Sequence, residues 1–385
     1  MKNLLLILFL SFTIGLQAQN QLLKGRIVDA DNQSGIAYTN IGIEGTFYGT
    51  ASDANGFFEL KIPAEFANKT LFVSAVGYEN KNYPVAELLT TEFARLSLTE
   101  QTYNIEGIDV AARSQVLFRI IKTAAAKVPD NFHTGPIGLK FHYLAKETRN
   151  DSTSLVREAI AEMTDQSGYS RPSIQDAFDN RNFRFTEVNK NFRSYSFPDA
   201  QTGFDELIEL DLARLSNTIF SEELIRDYDL QLDGIRPYEG DSVWVIAYKT
   251  DKTDLAHTGD YYATKMDGKL FILKSNYALV RNECMIEASK NNPQNRSLFT
   301  EGSDEQQVRY HLTALYREQG GKYLISYFDQ DKSFTNQSGE LVKISRKAAL
   351  LDFEKSPQSI SGRTYFEDST YDEKFWNAFH SGKKL

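Results

Sequence analysis

The chain has 385 residues, 41% of them hydrophobic and 12% aromatic, with a formal charge of −9 at neutral pH. At about 150 residues per domain this length predicts two or three globular domains with sizeable cores. The acidic balance disfavours nucleic acid and anionic lipid surfaces as partners, and a single cysteine, Cys284, rules out an intrachain disulfide.

The first elements to be met are those of an export signal. Lys2 supplies a one-charge leader, Leu4 to Ile14 an apolar run, and Leu16-Gln17-Ala18 a small-residue end, so residues 1–18 are expected to be a cleavable signal peptide. The apolar run is short for a membrane span. No later stretch approaches about 18 uncharged apolar residues, so no transmembrane segment is expected in the mature chain. Export points to the periplasm or the cell surface.

Behind the signal, Gly25-Arg26-Ile27-Val28-Asp29 turns through Asn32 to Gly35 and resumes at Ala37 to Ile43. Gly45 to Asp53 leads into Asn55-Gly56, a pair suited to the positive φ values of a tight hairpin. Phe58, Leu60 and Ile62 then alternate with Phe57, Glu59 and Lys61. Leu71, Val73 and Ala75 alternate up to Gly77-Tyr78, and Leu96 and Leu98 precede a last apolar stretch from Ile105 to Val110. Six or seven short strands in under 90 residues imply a β-sandwich. The order G-x-I-V-D, G-T-x-x-G-T-x-x-D-x-N-G-x-F, V-G-Y resembles the carboxypeptidase-like regulatory domain of Bacteroidetes envelope proteins over residues 23–110. That resemblance implies a seven-stranded prealbumin-like sandwich, an accessory module whose name transfers no peptidase activity.

Residues 111–385 are expected to form a larger antiparallel β domain with flanking helices. Val116, Ile120, Ile121, Ala124 and Val128 fall on one helical face. Leu139 to Ala145 and Leu155 to Met163 alternate on either side of an Asn150-Asp151-Ser152 turn. Residues 170–200 lack a clean period and read as a long excursion containing a basic loop of Arg171, Arg181, Arg184 and Arg193. Gly203 to Phe220 reads as helical, with Leu207, Leu210, Leu212 and Leu215 for packing. From Tyr228 to Ile286 the strands suggest an antiparallel meander, with Asp233-Gly234 and Asp267-Gly268 as turns. A hairpin at Gly320-Gly321, strands over 340–353, and a terminal helix with Phe375, Trp376 and Phe379 complete the domain. The helix ending Lys127 to Phe132, Val243-Trp244-Val245-Ile246, Asp267 to Ile272 and Tyr371 to Trp376 resemble a group of secreted Bacteroidetes proteins of unassigned function. The sheet-plus-helix pattern is also similar, at the level of fold only, to lipoprotein carriers.

Candidate chemistry is sparse. The H-x-x-E pattern with a distant His, H-E-x-x-H, G-x-S-x-G and the P-loop are all missing. His133, His142, His257, His311 and His380 read as surface or strand residues, His257 and Asp260 forming only one weak metal-like pair. Asp29, Asp31 and Gln33 have calcium-loop spacing without the closing Glu, and with Asp53 and Asn55 they read as turns. Glu158 and Glu162 share a strand face as paired acid/base carboxylates would, but strand alternation places charges there in any case. Phe57, Trp244, Tyr261, Tyr262 and Trp376 read as core and rim aromatics that could also stack on sugars, and Cys284 as a strand-packed thiol. No catalytic, cofactor-binding or metal residue is assigned, and no cofactor. The sequence points to a non-enzymatic binding or scaffolding protein of the cell envelope, with an envelope or outer-membrane protein as partner and a glycan or lipid as ligand. A carrier of a lipid or other hydrophobic ligand, or a carbohydrate-binding accessory protein, is the alternative.

Overall fold

The computed structural model describes residues 21–101, 110–171, 180–194, 203–291, 306–361 and 371–381. The signal segment 1–18 and the stretch 105–109 lie outside these residues. At the N-terminal end a three-stranded sheet has the order β4 (Phe57–Ile62), β1 (Gln21–Asp29), β7 (Ala94–Leu98). It faces a four-stranded sheet in the order β3 (Gly49–Ala51), β2 (Asn40–Ile43), β5 (Thr70–Ser74), β6 (Lys81–Pro84). These are the seven strands of the expected sandwich. Period-two alternation sends Leu23, Ile27, Phe58, Leu60, Ile62, Leu71 and Val73 into a core of its own. Gly56, at φ +85°, makes the Asn55-Gly56 turn, and Asp53 accepts the Asn55 and Phe57 amide hydrogens through Oδ1. Asp29 accepts from Asp31 and Asn32 in the same way, so both acidic clusters are turns. One pairing departs from antiparallel: β1 and β7 run parallel.

The rest of the strands form one antiparallel ten-stranded sheet. A hairpin of β8 (Ile137–Arg149) and β9 (Ser152–Asp165) carries β10 (Arg181–Val188) at the outer edge. A meander follows, of β11 (Asp229–Tyr238), β12 (Asp241–Thr250), β13 (Ala263–Leu273), β14 (Leu279–Ala288), β15 (Gln306–Gln319), β16 (Lys322–Thr335) and β17 (Leu341–Lys355). The two parts join where β17 pairs with β8.

Both Asp-Gly turns expected in the meander are absent. Gly234 sits at a bulge within β11, and the chain reverses later, at Glu239 and Gly240, both with positive φ. Gly268 lies mid-strand in β13, because a Cβ there would collide with the Tyr248 phenol and the Glu283 carbonyl. A glycine that serves close approach looks, in sequence, like a glycine that serves a turn.

Among the described residues the α-helices, in chain order, are α1 (Val85–Leu88), α2 (Val110–Ala126), α3 (Val128–Asn131), α4 (Phe204–Ile208), α5 (Leu212–Leu215), α6 (Leu255–Thr258) and α7 (Glu373–Ser381). On α2 the buried stripe is Leu117, Ile120, Ile121, Ala124, whereas the expected Val116 is 45% exposed, one residue and about 100° off that stripe. The helix expected over Gly203 to Phe220 is instead α4, α5 and a 3₁₀ turn (Thr218–Phe220), interrupted by left-handed backbone at Ser216 and Thr218. Part of the expected excursion at 170–200 is the strand β10.

The supposed basic loop is corrected most sharply at Arg181, which is fully buried. It donates to Asp165 at 2.9 Å, to Asp211 at 3.1 Å and to the Ile208 carbonyl at 2.8 Å. Arg214 also pairs with Asp165, while the Tyr169 and Tyr316 hydroxyls donate to Asp211. Two arginines thus balance two carboxylates inside the core and tie α4 and α5 to the sheet. Arg184 faces outward on the same strand and pairs with Glu162 at 2.8 Å.

Candidate binding cleft

Strand register divides the ten-stranded sheet into two faces. Phe141, Tyr143, Phe183, Phe185, Phe328, Tyr310 and Leu350 pack beneath α2, α4 and α5 in a single large core. The opposite face carries His142, Leu144, Lys146 and Thr148 from β8, Lys343, Ser345 and Lys347 from β17, and Asp329, Asp331 and Ser333 from β16. The sandwich is seated on this polar face.

Its seat is made of named contacts. Arg317, 7% exposed, donates to the Phe47 carbonyl, and Gln319 donates to the Gly45 carbonyl at 2.9 Å. Gly42 and Gly49 leave room for the Arg317 guanidinium, which a Cβ at either position would strike. Tyr38 OH lies 3.1 Å from His311 Nδ1, with the Arg281 guanidinium 4.7 Å from the Tyr38 ring centre. Burial lowers both arginines to about 10, against the pull of neighbouring tyrosines and, for Arg317, of Glu239. Tyr38, Ala51, Leu315, Tyr327 and Ala349 form a small apolar cluster across the junction.

Beside that seat, sandwich and sheet enclose an open cleft of about 810 Å³. The floor is Leu144, Lys146, Thr148, Asp331, Lys343, Ser345 and Lys347; the wall is Lys24, Thr50, Asp53, Phe57, Glu59 and Phe93. Such a volume suits a drug-sized or larger ligand. Phe57 and Phe93, 46% and 52% exposed, are the exposed phenylalanines among the described residues, and both stand on this wall. Their rings are 6.4 Å apart and inclined at 60°, which is not a flat sugar-stacking platform. Of the other aromatics considered, Tyr261 is exposed elsewhere, Trp244 packs against Tyr277 with the rings tilted at 41°, and Trp376 is buried with its indole N–H donating to the Val188 carbonyl. A second hollow, of about 680 Å³, lies at Phe47, Phe66, His133 and Phe353.

His142 lines the cleft and brings a cluster to its border. Glu158 accepts from His142 Nε2 at 2.7 Å and from His380 Nε2, on α7, at 2.5 Å. Burial alone would raise the Glu158 carboxyl; the His142 bond and charge, with Lys61 and His380, bring it down to about 2. Lys61, from β4 of the sandwich, holds its ammonium over the Phe379 ring of α7. Burial lowers that ammonium to about 7, against the pull of Glu158 and Glu59. α7 is therefore a strap between sheet and sandwich. Two histidines 238 positions apart meet on Glu158 through β-pairing and this strap, a convergence that no local spacing announces.

The other expected candidates disperse. His257 bonds Asp254 and Asp227 and leaves Asp260 to accept from Tyr310. Glu162 pairs with Arg184, and Cys284 is buried beside Tyr248, its thiol pushed up to about 12 by burial. Among the described residues no group of three or more His, Cys, Asp or Glu side chains is placed to hold a metal ion.

Residues 23–110, which contain β2 to β7 and β1 from Leu23 onward, match the family described as CarboxypepD_reg-like domain. The chain carries that domain. The CarboxypepD_reg-like domain accounts for the sandwich and leaves the ten-stranded sheet outside the match. No curated protein sequence matches the chain. Among solved structures, a LolA superfamily protein from Nitrosomonas europaea is 12% identical, with 63% of this chain and 94% of that chain covered and a TM-score of 0.25. A DUF1329 family protein from Desulfovibrio piger is 9% identical over 63% of this chain and 95% of that one, with a TM-score of 0.27. A structure of lipid–protein interactions in lipovitellin is 9% identical over 60% and 27%, with a TM-score of 0.29. At these scores none of the three bears on function. No helix among the described residues is long and apolar enough to cross a membrane.

Proposed function

We propose that this is a non-enzymatic binding or scaffolding protein of the bacterial cell envelope, exported by the segment 1–18, whose ligand site is the cleft between the CarboxypepD_reg-like domain and a second domain at 111–385. The observation that carries the reading is the cleft itself, about 810 Å³ and lined from the sandwich on one side and the ten-stranded sheet on the other. The histidine chemistry nearby is that of support: His142 and His380 are tied to a carboxylate and His311 to Tyr38, so that, among the described residues, none of these three is paired with a nucleophile. The carrier alternative would place a hydrophobic ligand between the sheet and its helices. There the chain's own side chains fill the space, and the gap at Leu212, Tyr248 and Cys284 is about 70 Å³, so an acyl chain requires α4 and α5 to lift.

The test is to purify the protein from native envelopes and identify co-purifying proteins and small molecules by mass spectrometry, beside a Ser345→Trp variant that fills the cleft floor. A ligand or partner held by the wild type and lost from Ser345→Trp supports the reading. Equal recovery with both proteins removes the cleft from the function.

A further inference from the structure

We infer that the cleft takes an anionic amphiphile, a molecule with a phosphate or carboxylate group beside an apolar segment; this rests on the binding reading above. The floor concentrates positive charge. Lys146 on β8 stands opposite Ser345 on β17, and Lys343 and Lys347 are two positions to either side on β17. Diagonal neighbours on one sheet face lie roughly 7–8 Å apart, within reach of long side chains. Three ammonium groups thus surround one hydroxyl, with Thr148 and Ser333 opposite Lys343. Like charges at such positions repel unless a counter-charge sits among them.

The carboxylates nearby supply that charge unevenly. Lys343 pairs with Asp151 at 2.7 Å, and Lys347 lies 3.7 Å from Asp53 and 3.9 Å from Asp329. Asp329 is held up at about 7, chiefly by burial, against Lys347. Glu59 is committed to Lys24 at 3.0 Å. Asp331, opposite Ser345, is the acidic group of the floor itself and faces His311 on its other side. Lys146 is exposed and, among the described residues, has no carboxylate partner. In a chain of net charge −9, this is a place where a cation lies open beside two others.

The wall supplies the other half. Phe57 and Phe93 expose their rings to the same cleft, Phe57 having the Arg26 guanidinium 4.9 Å from its ring centre. Two exposed rings inclined to one another form a corner for an alkyl or aryl group. A ligand whose anion reaches the Lys146 side and whose apolar part enters the Phe57–Phe93 corner satisfies both surfaces.

The experiment is titration calorimetry on the mature full-length protein with dodecyl phosphate, with dodecyl maltoside as an uncharged probe of the same chain length, both below micellar concentration. One-to-one binding of dodecyl phosphate is expected, weakened about tenfold by Lys146→Glu and likewise by Phe93→Ala, with dodecyl maltoside bound at least about tenfold more weakly. Lys343→Glu provides a second charge reversal, and circular dichroism checks that each variant is folded. Equal binding of the two detergents, binding indifferent to Lys146→Glu and Lys343→Glu, or no binding of dodecyl phosphate overturns the inference. If an uncharged native ligand is nevertheless lost from Ser345→Trp, the cleft remains the binding site and only the anionic class fails.

Discussion

Replacing Lys61 with methionine is expected to stabilise the protein near pH 6 and to lose that benefit in alkali. The Lys61 ammonium is removed from water where β4 meets α7, over the Phe379 ring, and its Nζ has no hydrogen-bond acceptor among the described residues. Its proton affinity falls from 10.5 in a free chain to about 7 in the fold. Below pH 7 the folded protein therefore carries a charge that the unfolded chain solvates better. Between pH 7 and 10.5 the unfolded chain binds more protons, so stability rises with pH across that window. At about 1.4 kcal/mol per unit the shift, which already includes the attraction to Glu158, sets a ceiling of about 5 kcal/mol, which residual solvent access reduces to about 2 kcal/mol. Methionine keeps the volume and removes the charge. Urea unfolding at pH 6 should place Lys61→Met about 2 kcal/mol above the wild type, with the gap shrinking to about a third of that by pH 9.5. A variant no more stable than wild type at pH 6, or a gap that does not change with pH, would refute the account of Lys61 as a desolvated cation.

Three further outcomes are expected. Arg181→Met leaves Asp165 and Asp211 with one guanidinium between them and should cost about 3–5 kcal/mol by urea unfolding; a cost below about 1 kcal/mol would show that the buried network is not coupled. Gly268→Ala drives a methyl into Tyr248 and the Glu283 carbonyl and should cost about 1–3 kcal/mol, part of it recovered with Tyr248→Leu in the same chain. Cys284 should resist a thiol reagent in the native protein and react only as fast as the chain unfolds, because burial both shields the thiol and pushes it up to about 12; rapid native labelling would contradict its place in β14.

What the sequence made legible was mostly local. Alternation at Phe58, Leu60 and Ile62, and at Leu139, Phe141 and Tyr143, located strands and their buried sides, because side-chain period follows directly from backbone geometry. The turns at Asn55-Gly56 and Gly320-Gly321 were readable because their positive φ values admit few residues. Gly268 misled for the converse reason: its cause, the Tyr248 ring, comes from another strand. Arg181 looked like solvated charge because Asp165 and Asp211 are 16 and 30 positions away. The cleft was hidden altogether. Lys146 and Lys343 are 197 positions apart, and neither has a local pattern that distinguishes a binding lysine from a surface one; only the β8–β17 register puts them together.

That same pairing has a consequence for how the molecule is made. β8 and β9 can form their hairpin once residue 165 is available, and β11 to β16 can pair in succession, but β8 has no second neighbour until β17, whose last residue is Lys355. Until then the growing chain holds two incomplete sheets with β8 and β16 as open edges, each inviting a wrong partner. Closing the gap joins segments about 200 positions apart, a slow event of high contact order. Chains that stop short of residue 341 should therefore aggregate rather than fold to a smaller sheet, and the cleft, whose floor straddles the same seam, comes into being only at that final step.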